Sequence, residues 1–203
     1  MGNGCFRLIL AKDITAKIFY IVGASGAGKD SLINQCRGPK LTELGCIVAH
    51  RYITRAAGAG GENHIPLTTA EFEYRRSVGC FAMFWEANGH LYGIGSELGQ
   101  WLASGCHVIV NGSRAYLPQA IEEYGSRLLP VHIKVSAETL KRRLLERGRE
   151  SAEAIERRIE RTAKLADVTC DSALVVNNEG SLEDAAGDLM VIIRGYTVNK
   201  HGG

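Results

Sequence analysis

This sequence predicts an α/β fold: a parallel sheet flanked by helices and built around a phosphate loop of the NTPase type. Three observations carry that reading. Short apolar, β-branched runs at Ile18 to Val22, His107 to Val110, Val131 to Val135 and Leu174 to Val176 alternate with helix-type segments, and strands that alternate with helices form a parallel sheet buried on both faces. Directly after the first run stands Gly-x-x-x-x-Gly-Lys, from Gly23 to Lys29, the signature of a loop that cradles phosphates. Finally, 203 residues of which 45% are hydrophobic suffice for one domain with a real core.

In chain order, residues 1–17 read as an N-terminal extension, either mobile or an added edge strand, ahead of one domain over 18–198. Gly23, Ala24, Ser25, Gly26, Ala27 and Gly28 form the loop. Its backbone N–H groups and the helix that follows surround phosphates of a nucleotide, and Lys29 adds a point charge at the transferred group. A Ser or Thr usually follows that Lys and holds Mg²⁺. Here Asp30 stands there and Ser31 comes one step late. A carboxylate is a good ligand for a hard cation, so Asp30 is the candidate metal residue.

Lys29 to Cys36 reads as the helix launched by the loop, ended by Gly38-Pro39. Ile47 to Ile53 reads as one strand and Ala56 to Glu62 as a Gly/Ala loop. Thr68 to Glu71 has the form of a cap for a helix through Arg76. Phe81 to Trp85 reads as a strand, and Gly93 to Gly95 as a turn before a helix to about Ala103. Ala137 to Arg147 is helical, with Leu140 and Leu144 on one face. Ala152 to Ala166 is helical, with Ile155 and Ile159 four apart, and Ser181 caps a last helix. The non-alternating stretch at about 40–100 reads as an acceptor-binding insert, and 147–158 as a lid.

Composition excludes several classes of function. A net charge of +2 is too small to imply nucleic acid or an anionic membrane. No apolar run approaches the ~20 residues that span a bilayer. Six scattered cysteines without a C-x-x-C pair argue against metal clusters and a disulfide framework, and fit a reducing cytoplasm. The start, Met1 to Cys5, resembles an acylation signal only weakly, because Phe6 stands where Ser or Thr is needed.

Gly23 to Lys29, Thr54-Arg55, Gly61-Glu62, Gly89 to Gly93, Arg147-Gly148 and Val176 to Asn178 together resemble the guanylate kinase superfamily over nearly all of the chain after residue 17. Within it, Ala49 to Arg55, Gly61 to His64, Val110 to Ala115 and Gly26 to Ser31 resemble the ribose 1,5-bisphosphate phosphokinases of phosphonate catabolism, including the unusual Asp after the loop Lys.

The resemblance implies roles. Lys29 bridges the donor's terminal phosphates. Arg143 and Arg147, four apart on one helix face, point at the donor from the lid side, and Arg158 reaches the transferred group. Arg55 and Tyr92 hold the acceptor phosphate. Where guanylate kinases face guanine with Ser, Glu and Asp, this chain has Arg51, Met83 and Ser113. A guanine N–H facing Met83 would lose about 1–3 kcal/mol as an unpaired donor, whereas a guanidinium at Arg51 suits a phosphate. The usual metal-side Asp of the second core strand corresponds to Asn111, so the negative charge moves to Asp30. Glu62 and His64 either orient sugar hydroxyls or are simply solvated, and either could be a general base if one is needed.

The expected activity is ATP- and Mg²⁺-dependent phosphorylation of ribose 1,5-bisphosphate, a small sugar phosphate, with no nucleic-acid or membrane partner and a homodimer left open. Two alternatives compete: a guanylate kinase acting on GMP, and a non-catalytic module that binds protein partners. The intact phosphate loop argues against the second.

Overall fold

A computed structural model of the chain describes residues 16–57, 63–148, 151, 153, 155–157, 159 and 173–197, with the side chain of Arg147 left out. Five strands form one parallel sheet in the order β2-β7-β1-β8-β9. They are β1 (Ile18–Gly23), β2 (Cys46–Val48), β7 (His107–Asn111), β8 (Leu128–Lys134) and β9 (Leu174–Asn177). All six residues of β1 are buried, as a central strand covered on both faces requires.

Side-chain alternation divides the core between the two faces. Phe19 and Ile21 pack with Leu32 and Ile33 of α1 (Lys29–Cys36), and with Leu189 and Ile193 of α7 (Leu182–Thr197). Ile18, Tyr20 and Val22 pack on the other face with Leu98 and Leu102 of α4 (Glu97–Ala103), and with Leu117 and Ala120 of α5 (Leu117–Tyr124). Ala16 is buried, and the Lys17 backbone N–H donates to His107 Nδ1 at 3.1 Å. The chain is therefore fixed to the sheet two residues before β1 begins.

A second sheet, order β4-β3-β6-β5, lies within residues 51–95. It comprises β3 (Arg51–Ile53), β4 (His64–Pro66), β5 (Phe81–Ala87) and β6 (His90–Gly95). Ile47 to Ile53, expected to be one strand, is two. β2 joins the core sheet beside β7, and after Ala49-His50 the chain starts β3 in the other sheet. The apolar pattern runs through both pieces, so the change of partner leaves no mark in it.

Gly93 to Gly95, expected to be a turn, lies inside β6. The hairpin turns instead at Asn88-Gly89, where Asn88 has φ 51°, the left-handed conformation that a tight β-turn demands. Gly93 is glycine for a different reason. A Cβ there would lie 2.7 Å from the Phe81 ring that crosses the strand.

Pro39 does not simply end the first helix. It opens a further turn, α2 (Pro39–Glu43), because Pro fits the first helical position. The cap at Thr68 is present, its Oγ1 accepting from Glu71 N at 3.1 Å and opening α3 (Thr69–Ser77). α6 (Ala137–Arg147) is capped by Ser136. α5, with Pro118 in its first turn, has no counterpart among the expected helices. Most of the expected helix Ala152 to Ala166 lies outside the described residues.

Candidate active site

The phosphate loop joins β1 to α1 at the C-terminal edge of the core sheet, where ligands of open α/β sheets gather. Gly28 is the N-cap of α1 in the left-handed region, φ 86°. A Cβ there would fall 2.6 Å from Asn178 Nδ2, so only Gly meets both demands. Asn178 follows β9, is buried, and donates from Nδ2 to Ala27 O at 2.7 Å. Arg143 of α6 reaches the same corner, donating from Nη2 to Asn178 O at 2.8 Å. Glu179 next door accepts from the hydroxyls of Thr139 and Ser136 and from the Ser136 backbone N–H. Those bonds, led by the Thr139 hydroxyl, and the nearby Arg143 hold its carboxyl below the usual 4.5. The loop, α6 and the end of β9 are thus one hydrogen-bonded unit, with Arg143 at the side where a donor nucleotide would lie.

Lys29 turns back over the loop. Its Nζ donates to Gly23 O and Ala24 O, both at 2.9 Å. An ammonium held by two carbonyls at the mouth of the loop is placed for phosphate oxygens to take over those bonds.

Asp30 is the junction of the site. Its Oδ1 accepts from Arg51 Nη2 at 3.0 Å and from Asn111 Nδ2 at 2.7 Å. Arg51 also donates to Asn111 O at 3.3 Å and lies 5.6 Å over the ring of Tyr92, which itself stacks on Trp85 at 5.7 Å. One residue from the phosphate loop, one from β7 and one from the second sheet therefore meet in one cluster. The Arg51 side chain is 11% exposed and that of Asp30 is 43% exposed. Asn111 is buried, and its Oδ1 has no hydrogen-bond partner among the described residues. A carboxylate beside an orphaned amide oxygen is a donor set that suits Mg²⁺, which takes one or two protein oxygens and completes its shell with water and phosphate. Among the described residues no group of three or more His, Cys, Asp or Glu gathers as a metal cluster.

The other expected residues fall into two groups. Tyr92, Arg55 and His64 surround the Arg51 strand. His64 pairs with Arg51 across β3 and β4, and its Nε2–H donates to Arg55 O at 3.1 Å. Thr54 Oγ1 accepts from Leu91 N at 2.8 Å, which ties the start of the Arg55 segment to β6. Met83 is fully buried in the core and turns no polar group toward the cleft. Ser113 follows β7, its backbone N–H donating to Tyr20 Oη at 3.0 Å; burial pushes the Tyr20 phenol well above its ordinary range. Ser25 and Ser31 lie in the loop and first turn of α1. Glu62 and Arg158, and the side chain of Arg147, lie outside the described residues.

The sequence reading gave no role to Asn178, the clamp on the loop, nor to Arg37 and Asn63, which line the same cleft as Asp30, Arg51 and Asn111. Arg37 had a signal. Its spacing of seven from Asp30 returns it to the same side of α1. Asn63 had none, because a loop residue 33 positions from Asp30 is placed only by the fold.

A family model described as guanylate kinase matches residues 15–196. The chain is 47% identical over 178 residues to the ribose 1,5-bisphosphate phosphokinase PhnN of Pantoea vagans, covering 88% of this chain and 97% of that one. It is 45% identical over 187 residues to the protein of the same name from Enterobacter lignolyticus, covering 92% and 96%. A third of that name, from Desulfomicrobium baculatum, is 45% identical over 184 residues, covering 91% and 97%. Among solved structures, the guanylate kinase of Anaplasma phagocytophilum superposes with a TM-score of 0.66 at 17% identity, over 92% of this chain and 89% of that one. That likeness concerns the fold.

Proposed function

The chain belongs to the guanylate kinase family, and on that premise we propose that it is a phosphotransferase that phosphorylates ribose 1,5-bisphosphate with ATP, giving 5-phospho-α-D-ribose 1-diphosphate and ADP. The feature that carries this reading is the change of residues at the purine-reading positions: Arg51, whose guanidinium lines the cleft with Asp30 and Asn111, Met83, which is buried in the core, and Ser113. Identity of 47% to a phosphokinase named for that sugar supports it.

In the transfer, an oxygen of the sugar 1-phosphate attacks the terminal phosphorus of ATP. The bond from that phosphorus to the bridging oxygen breaks, and the electron pair leaves with ADP. Such a step needs positioning and charge stabilisation rather than covalent help. Lys29 exchanges its two carbonyl partners for donor phosphate oxygens. Arg143 supports the donor from α6. Arg147 and Arg158 close over it from a lid at about 147–158. Arg55, Tyr92 and Arg51 hold the acceptor from the insert, about 40–100 of a single domain spanning 18–198. His64 and Glu62 stand at the sugar. Asp30 and Asn111 would hold Mg²⁺, which neutralises charge on the group in transit. The same reading carries a cytoplasmic location, no nucleic-acid partner, and an oligomeric state that includes a homodimer among its options. Among the described residues no helix is long and apolar enough to cross a membrane.

The test is ADP release from ATP at millimolar Mg²⁺. Release is expected only when ribose 1,5-bisphosphate is added, and Lys29→Ala is expected to slow it by about 10²–10³, the scale of losing one donor at a charged transition state, with the melting temperature close to wild type. Release that ignores the sugar, or full activity in the Lys29 variant, would contradict the reading.

A further inference from the structure

A doubly phosphorylated acceptor needs cations at both ends, and Arg51 is already committed beside the reacting end, on Asp30 and the Asn111 carbonyl. The cleft that Arg51 borders continues along α1, where Asn34 and Arg37 line it, with Asn63 on the opposite wall. Asp30 and Arg37 are two turns apart, about 10 Å along the axis between their backbones, and the long Arg37 side chain spans part of that distance.

Arg37 closes α1 as its C-cap. Its Nε donates to Asn34 Oδ1 at 3.3 Å, which turns the guanidinium back along the helix toward Asp30. Among the described residues it makes no ion pair with a carboxylate. Burial weakens its hold on the proton but leaves a guanidinium charged at any working pH. The His50 ring feels Arg37, and its Nε2 accepts from Asn63 Nδ2 at 3.2 Å. A half-buried cation that lines a cleft and is bonded to an amide rather than to a carboxylate is an anion site in form. The near end of the same cleft carries the buried Oδ1 of Asn111, which has no hydrogen-bond partner among the described residues.

We propose that Arg37, with Asn34 and Asn63, is the subsite for the acceptor's second phosphate, the one on carbon 5, while Arg55, Tyr92 and Arg51 serve the phosphate on carbon 1. This rests on the reading of the acceptor as ribose 1,5-bisphosphate. It makes Arg37 a specificity-determining residue, because a sugar phosphorylated at carbon 1 alone leaves this subsite empty.

The experiment compares the full-length wild type with Arg37→Gln and Arg37→Lys, using ribose 1,5-bisphosphate as substrate and ribose 1-phosphate and ribose 5-phosphate as competing ligands. Arg37→Gln is expected to raise the KM for the bisphosphate about 10- to 100-fold, the scale of a charge-assisted bond, with the KM for ATP unchanged. Its inhibition by ribose 5-phosphate weakens in parallel, and inhibition by ribose 1-phosphate stays as in wild type. Arg37→Lys keeps the charge, and recovers part of the loss. If wild type turns over the bisphosphate but Arg37→Gln keeps its KM, or if both monophosphates weaken equally, the subsite is wrong and the acceptor stands. If wild type releases no ADP with the bisphosphate, both fall together.

Discussion

Asp30 occupies the position after the loop lysine where a hydroxyl usually sits, and its neighbours explain how a carboxylate is tolerated there. Oδ1 meets a guanidinium from the second sheet and an amide from β7, so its charge is matched inside the protein. Removing it strands Arg51, whose side chain is 11% exposed. A fully buried pair broken in this way costs about 3–5 kcal/mol. Because Asp30 is 43% exposed, solvent screens part of that, and Asp30→Ala should cost about 1–2 kcal/mol of stability. The same variant should lower kcat by about 10²-fold and raise the Mg²⁺ concentration needed for half-maximal rate, in proportion to an anionic group lost at the transferred phosphoryl. Steady-state rates across a Mg²⁺ titration, beside thermal melts, check both. Wild-type activity with an unchanged Mg²⁺ requirement would remove Asp30 from the metal site. The oddity of Asp30 was visible in the sequence. Its partner was not, since Arg51 is 21 residues away and reaches it only because the chain leaves the core sheet between Val48 and Arg51.

At the level of elements, β8 shows how the site's charge acts on the scaffold. His132 lies beside β1, paired in register with Val22 just before the loop. Burial, and then Arg114, Lys134 and Lys29, push its ring below the ordinary 6.5. The folded state therefore binds the proton less well than the unfolded chain. As pH falls below 6.5 the unfolded chain protonates first, stability drops until the folded-state value is reached, and it is level beyond that. Melting temperatures of wild type and His132→Gln across this window should diverge. Wild type should lose stability on mild acidification and the variant should lose less. Parallel curves would mean that His132 is not the group responsible.

Elements were legible where the cause is local. The strand, loop and helix from Ile18 to Cys36, the Thr68 and Ser181 caps and most of the strand expected over Val131 to Val135, found at Leu128–Lys134, follow from spacing and capping chemistry. Elements were misread where the cause is a distant partner. The split of Ile47 to Ile53 depends on which sheet each half joins, and Gly93 of β6 answers to Phe81 across the hairpin. α5 was missed although Pro118 sits in its first turn, because eight residues with Leu117 and Ala120 as the buried contacts are too short a run for a helical period to stand out.

At the level of the whole molecule, the candidate site spans two sheets. The start of α1 supplies Lys29 and Asp30, and β7 of the core sheet supplies Asn111. The second sheet supplies Arg51, His64 and Tyr92, and α6 brings Arg143. The phosphate loop alone identifies the donor side, and that much stood in the sequence. The acceptor side is set by how the second sheet meets the first, which is why Arg37 and Asn63 emerged only with the fold. On the proposed reading, a cleft lined by Arg37 and Arg51 favours an acceptor with charge at both ends over one with a neutral purine. The most direct test is ADP release with a panel of acceptors at equal concentration: ribose 1,5-bisphosphate, ribose 5-phosphate and GMP. Turnover is expected with ribose 1,5-bisphosphate alone; efficient phosphorylation of GMP would contradict it.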